Sequence, residues 1–311
     1  MTQYDKNDVE DAGLVKFDLL GLANLTIIDQ ALQQIEANYG KAERPDLSRI
    51  PLNDPCVYDL FRQGKTTAVF QCESSGAKDL EVKMQPSSFD DLTALLALNR
   101  PGPLGSGMVN DFIDRKKQVN TTGKHNPEWF YHPSLEDTLK PTYGMIVYQE
   151  QVMRIAQIIA GYSLGQADLL RRAMGKKKPE EMAKQRQIFL DGAQKRGIDA
   201  DLAVELFDLM AKFADYGFNK SHSAAYALIS YQTAWLKAQY PAEYMAATLS
   251  NKFDSPADIE PLLNEVRTNC FAPGHGEHGY LEVLMPCVNA SDATFAAEMN
   301  TFGTRAKAIR Y

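Results

Sequence analysis

The sequence predicts a mainly α protein: one short β-strand, then a long helical region, then a short α+β tail. Two patterns carry that reading. From residue 149 onward apolar residues recur at spacings of three and four, as in Val152, Ile155, Ala156, Ile159 and Ala160, which places them on one face of a helix. Strand-like runs, by contrast, are short and few, at 14–20, 68–71 and 281–288.

In chain order, LVKFDLL (14–20) reads as a strand that turns Val15, Phe17 and Leu19 to one side and Lys16 and Asp18 to the other. A helix follows over 25–39, with Ile27, Ile28, Ala31, Leu32 and Ile35 on one stripe. Residues 40–56 read as a linker, 55–62 as a short helix, 68–71 as a strand and 73–76 as a turn into a helix. Residues 90–98 are helical and stop at Arg100-Pro101-Gly102-Pro103, so 101–107 reads as a loop. Residues 118–142, with Pro127, Pro133 and Pro141, read as a second irregular stretch. Helices are then expected over 149–160, 166–174, 179–196, 200–213, 223–239 and 241–249. After about 265 the pattern weakens into a Gly-rich loop and a strand at 281–288.

Composition bounds the function class. Of 311 residues, 44% are hydrophobic and 23% charged, ordinary for a folded protein with a sizeable core. No apolar run is long enough to span a membrane, and the polar, acidic start has no secretory pattern. The four cysteines are scattered, as in a reduced cytosolic protein. The net charge of −7 argues weakly against nucleic acid, but a DNA-binding face needs only local basic surface.

Five constellations could carry chemistry. Arg171-Arg172-Ala173-Met174-Gly175-Lys176-Lys177-Lys178 packs five cations into eight residues. It is either a solvated helix end or a contact for phosphates, onto which Arg can fork. The run 216–226 holds Asn219, Lys220, Ser221, His222 and Tyr226. It is either a capped helix start, with Ser221 or Ser223 as cap, or an anion site on free N–H groups, with His222 and Tyr226 one turn apart. Arg100 in its Pro-Gly segment is a plain loop residue or a ligand contact. Lys16 and Asp18 form an ion pair or part of a metal site. Cys270, His275, His278 and Cys287 form a loop with surface His and reduced Cys, or a zinc site of unusual spacing.

Literal strings narrow these alternatives. GLVKFDLLGL (13–22), FQCESSGAKDL (70–80), LALNRPGPL (96–104), YGMIVYQEQVM (143–153), GYSLGQADLLRRAMGKKKPEEM (161–182) and YGFNKSHSAAYALISYQTAWLKAQYPAEYMAA (216–247) resemble, in order, signature segments of the bacterial C-family replicative polymerases, the DNA polymerase III alpha subunits. The resemblance implies the end of a palm at 1–23, a helical fingers domain at 24–265, and the end of the fingers at 266–311 before a helix-hairpin-helix module. It implies DNA-directed DNA polymerisation in chromosomal replication, in the cytoplasm, on primer-template DNA and deoxynucleoside triphosphates. In the full-length protein the partners would be the sliding clamp, clamp-loader and proofreading subunits. Asp18 maps to the family's third catalytic aspartate, a ligand of two Mg2+ ions, with Lys16 near the nucleotide phosphates. Arg100, Arg171, Arg172, Lys176, Asn219, Lys220, Ser221 and His222 map to triphosphate or template contacts, and Tyr226 to packing against the nascent base pair.

The sequence departs from the family in places. Ala68 stands where glycine is usual, Ala77 and Cys72 replace larger apolar residues, and 268–280 is divergent. The other palm aspartates, in a PDxDxD-type strand, are not among residues 1–17, so the isolated chain is expected to be an inactive fragment whose DNA binding is weak and falls steeply with salt. The competing readings are a non-catalytic helical DNA- or phosphate-binding module and a small zinc-stabilised protein.

Overall fold

The computed structural model describes residues 3–15, 17, 21–176, 179–213, 217–270, 281–287, 291, 293–299 and 306–310, and most of these are helical. In order the helices are α1 (Lys6–Asp11), α2 (Ala23–Tyr39), α3 (Pro55–Arg62), α4 (Ser75–Met84), α5 (Phe89–Leu98), α6 (Pro101–Gly105), α7 (Met108–Thr122), α8 (Glu136–Leu139), α9 (Gln149–Ala160), α10 (Leu164–Lys176), α11 (Pro179–Lys195), α12 (Ala200–Phe213), α13 (Lys220–Gln239), α14 (Pro241–Lys252) and α15 (Pro256–Asn269). Strands β1 (Glu282–Leu284), β2 (Ala296–Met299) and β3 (Ala306–Arg310) form the tail sheet. β3 lies in its middle, parallel to β1 and antiparallel to β2.

Their starts obey local chemistry. Asp54 accepts from the Cys56 N–H, Ser74 from Ala77, and Ser88 and Asp91 exchange bonds in a capping box. α6 follows Arg100 with Pro101 at its first position, where the missing N–H costs nothing. That is why the Pro-Gly segment read as a loop is instead a short helix. The irregular stretch expected at 118–142 is also partly ordered. α7 runs on to Thr122, and single 3-10 turns start at Pro127 and Pro133.

Three apolar cores sit behind these helices. One joins α2, α14 and α15 to the tail sheet, through residues such as Ile35, Met245, Val266 and Ile309. A second joins α3, α4, α5 and α7 to α13, around Phe61, Leu95, Phe112 and Tyr231. The third fills the bundle of α8 to α12, around Ile155, Leu170, Phe189 and Leu206. α13 is a common wall, sending Leu236 into the first core and Ala227, Tyr231 and Ala234 into the second.

α9 and α11 approach so closely that a Cβ on Gly192 would run into the Ala160 carbonyl. Gly192→Ala is therefore expected to lower stability by about 1–3 kcal/mol, although alanine is the better helix former. Thermal denaturation of the variant checks this, and an unchanged or raised midpoint would refute the close approach.

Two expected strands do not appear among the described residues. At 14–20, Leu14, Val15 and Phe17 lie in no strand and are exposed, Val15 at 74% and Phe17 at 83%. A strand needs a neighbour's N–H and C=O groups, and the sheet formed by the described residues is the distant tail. Lys16 and Asp18 lie outside the described residues. At 68–71 the chain makes turns, with left-handed φ at Ala68 (68°) and Gln71 (62°). Side chains of α13 and α14 replace the ladder a strand would have supplied. Phe70 N–H donates to Thr233 Oγ1 (3.1 Å), Ser230 Oγ to Phe70 O (2.8 Å), Tyr244 OH to Ala68 O (2.6 Å), and Lys237 Nζ to Lys65 O and Thr67 O (2.8 and 2.9 Å). The left-handed Ala68 gives a physical reason for glycine at that position.

Candidate functional site

The second and third cores meet where two extended segments touch. Gln149 N–H donates to Phe218 O (2.9 Å), closing a parallel bridge between Tyr148 and Phe218 at the starts of α9 and α13. Gly217 fits this crossing closely: a Cβ there would lie 2.9 Å from the Phe213 ring and 3.2 Å from the Gln149 side chain, which would have to shift. Two clefts border the bridge, one at Phe218 and one at Gln149 and Gly217.

The first cleft, about 160 Å³, is lined by Gln71, Leu96, Asn99, Arg100, Phe218, His222, Ser223 and Tyr226. Arg100 lies over the Phe218 ring, 4.2 Å from its centroid, and donates from Nε to Ala97 O (2.8 Å). Burial pushes its guanidinium pKa down, leaving it charged at neutral pH. His222 stacks on Tyr226 at 4.2 Å and meets the edge of Phe218. Phe70 backs Tyr226 at 5.3 Å. Ser223 is fully buried, and its hydroxyl has no hydrogen-bond partner.

The second cleft, about 210 Å³, is lined by Gln149, Val152, Arg171, Arg172, Met174, Gly175, Phe213 and Gly217. Both arginines are oriented by one carboxylate. Arg171 donates from Nε and Nη2 to Asp168 Oδ1 (2.9 and 2.8 Å), and Arg172 Nε lies 2.8 Å from Oδ2. These bonds, Arg171's first, hold the Asp168 carboxyl below the usual range. Arg171 Nη1 also reaches Gln149 Oε1 at 3.3 Å, which ties the arginine to the bridge.

The start of α13 differs from the expected open anion site. The helix begins at Lys220, so its cap is Asn219, whose Oδ1 accepts the His222 N–H (2.8 Å), and not Ser221 or Ser223. The Lys220 N–H is taken by Glu150 Oε2 (2.9 Å). Positive charge here therefore comes from side chains, with Lys220 Nζ 5.6 Å from the Tyr148 ring centroid. Ser221 is exposed on the first turn.

The structure thus brings Arg100, His222 and Tyr226 together in one cleft and Arg171 and Arg172 in the other, while Asn219, Lys220 and Ser221 sit at the start of α13 and line neither. Lys176 is the last residue of α10, and its side chain lies outside the described part. Sequence reasoning did not single out Gln71, Ser223, Phe218 or Gln149 as site residues, since only tertiary packing brings them to the clefts. Arg171 and Arg172 sit three and four residues after Asp168, a helical spacing that could have given away the clamp.

Among the described residues no group of three or more His, Cys, Asp or Glu could hold a metal ion. A magnesium site is not assembled from them, and Asp18 lies outside them. Of the four zinc candidates, Cys270 is buried and Cys287 exposed, while His275 and His278 lie outside the described residues. Among the described residues no helix is long and apolar enough to cross a membrane.

Residues 24–197 match the family described as the bacterial DNA polymerase III alpha subunit finger domain. The chain belongs to this family. The fingers match includes Arg100, Arg171 and Arg172. DNA polymerase III subunit alpha of Escherichia coli K12 is 55% identical over 292 residues, which are 93% of this chain and 24% of that protein. Those of Haemophilus influenzae and Vibrio cholerae are 58% identical over 298 residues and 56% over 302, covering 95% and 96% of this chain and 25% of each relative. The chain spans about a quarter of the length of these curated relatives. As fingers, the two clefts present cationic walls beside an aromatic platform, the combination that suits a phosphorylated, planar ligand.

Proposed function

We propose that this chain is the fingers of a DNA-directed DNA polymerase, and that its paired clefts bind the incoming deoxynucleoside triphosphate over a primer-template. The proposal is carried by one observation. Arg100, the His222–Tyr226 stack and the unpartnered Ser223 hydroxyl line one cleft beside the 148/218 bridge, and Arg171 and Arg172 line a second.

In nucleotidyl transfer a primer 3′-hydroxyl attacks the α-phosphorus and pyrophosphate leaves. Charge grows on the departing phosphates, and preorganised donors stabilise it. Arg171 and Arg172, already fixed by Asp168, are placed to fork onto phosphate oxygens, with Lys176 and Lys220 adding charge. Arg100, Asn219 and Ser221 are assigned to sugar or template, the buried Ser223 hydroxyl backs the cleft wall, and Tyr226 with His222 would form a flat surface for the base pair. Asp18, two residues after Lys16 in the sequence, is the carboxylate this chain would give to a site for two Mg2+ ions. In the complete subunit the sliding clamp, clamp-loader and proofreading subunits would be partners, in the cytoplasm.

A chimera tests the reading: residues 24–270 of this chain replace the matching segment of the Escherichia coli alpha subunit. Template-directed primer extension by the folded chimera is expected. A folded chimera that binds DNA but never extends the primer would instead support a non-catalytic DNA- or phosphate-binding module.

A further inference from the structure

A proton is missing from the count in the buried loop behind the first cleft. Thr66 Oγ1 lies 2.8 Å from Cys72 O and 2.6 Å from Glu81 Oε2, and all three residues are buried. A hydroxyl has one hydrogen and a carbonyl has none. If Glu81 were a carboxylate, two acceptors would share one proton at these short distances. If Glu81 is a carboxylic acid, its O–H donates to Thr66 Oγ1, and the Thr66 O–H donates to Cys72 O. Both bonds are then made. Glu81 Oε1 has no hydrogen-bond partner, a costly state for a buried charged oxygen and a cheaper one for a neutral acid.

We propose that Glu81 is a positioning residue that works as a neutral acid, its proton closing the Thr66–Cys72 bond that fixes residues 66–73 behind the cleft. The loop so held puts Phe70 against Tyr226 and Gln71 in the cleft wall. The functional half of this inference rests on the cleft being the ligand site, whereas the protonation does not.

The neighbouring charges do not supply the missing hydrogen. Lys78, on Glu81's own helix, donates to Thr67 Oγ1 (2.6 Å). Lys237 of α13 spends its three hydrogens on Lys65 O, Thr67 O and Glu265 of α15. On the loop itself, Glu73 accepts from the Ala68 N–H. The Cys72 thiol, kept protonated by burial and by Glu81, donates only a weak S–H bond to the Glu81 carboxyl, which leaves the hydrogen between Thr66 Oγ1 and Glu81 Oε2 still to be supplied. From α3 and α7, Arg62 O accepts from the Gln85 side chain, and Lys116, paired with Asp91 of α5, donates to Gln85 O, both at the far end of α4. Burial, opposed by Thr66, Cys72 and the two lysines, pushes the Glu81 carboxyl up to about 7. The folded form then keeps a proton that the unfolded chain has released. Stability should fall as pH climbs from about 4.5 to about 7 and level off above it.

The test is a carbon NMR titration of the Glu81 Cδ in this chain, together with deoxythymidine triphosphate affinity across the same pH range. A midpoint near 7 is expected. Triphosphate affinity should weaken as that proton leaves in the natural chain, and hold in Glu81→Gln, whose amide N–H replaces the acid O–H toward Thr66. A midpoint below about 5 overturns the protonation, and parallel affinity profiles in the two proteins overturn the positioning role. If the triphosphate binds neither protein at any pH, the cleft reading and the positioning role that rests on it both fail, and the carbon titration still decides the protonation of Glu81.

Discussion

Asp91→Ala is expected to destabilise the fold by roughly 3–5 kcal/mol, because it strands a buried lysine charge. Asp91 and Lys116 are 2% and 1% exposed, and their 2.5 Å contact links α5 to α7. The carboxylate is also held by the N–H groups of Ser87 and Ser88 at the head of α5 and by the Tyr143 hydroxyl (3.0 Å). Burial raises the Asp91 pKa, but Lys116 and these donors outweigh it, so the net shift is downward. A carboxyl depressed on folding contributes stability that is present above its unfolded pKa, near 3.8, and is lost as pH falls through the lower folded value. Acid denaturation should therefore begin at lower pH in the natural chain than in Asp91→Asn. The double variant Asp91→Leu/Lys116→Met, which removes both charges, should be more stable than Asp91→Ala. Urea unfolding of the three proteins decides the matter, and an Asp91→Ala cost under about 1 kcal/mol would rule out a stranded buried charge.

The second large effect is functional. In the chimera, Arg171→Ala should reduce kcat/KM for the incoming nucleotide by about 10–100-fold, the worth of a charge-assisted bond at 1.5–3 kcal/mol. Arg171→Lys should recover only part of this, since a lysine cannot hold Asp168 and fork onto phosphate together. Arg172 is 63% exposed, so its removal should cost less. Arg186 serves as the control. It pairs with Asp208 on the exposed face of the same bundle and lines neither cleft, so Arg186→Ala should leave the kinetics unchanged. Equal losses at Arg171 and Arg186 would point to folding and not to phosphate binding.

Much of the helical scaffold was legible because amphipathic spacing is local. α12 was read to the residue, and α11 to within one, since each turns a regular apolar stripe into the third core. α13 starts three residues before the expected Ser223, because its cap is Asn219 and not Ser221 or Ser223, and only the fold shows which side chain reaches the His222 N–H. α15 is absent from the sequence expectations; its Pro256 sits harmlessly at the helix start, and Pro261 lies inside the helix. The 68–71 segment has strand-like residues, yet its backbone is satisfied by side chains some 160 to 180 residues away in sequence.

The candidate site divides in the same manner. Its charges stood out as clusters at 171–178 and 216–226. The Asp168 clamp, the Phe218 bridge, the Ser223 hydroxyl and Gln71 depend on packing between helices far apart in the chain. Charge density could show that an anion was wanted, while only the fold shows that cations and rings share one crossing.

The most direct measurement is calorimetric titration of this chain with deoxythymidine mono-, di- and triphosphate, repeated on Arg171→Ala/Arg172→Ala. The account predicts affinity that climbs with each phosphate in the natural chain and a climb that disappears in the double variant. A triphosphate that binds no more tightly than the monophosphate, or a double variant that binds it as well as the natural chain, would contradict a triphosphate site at the 148/218 crossing.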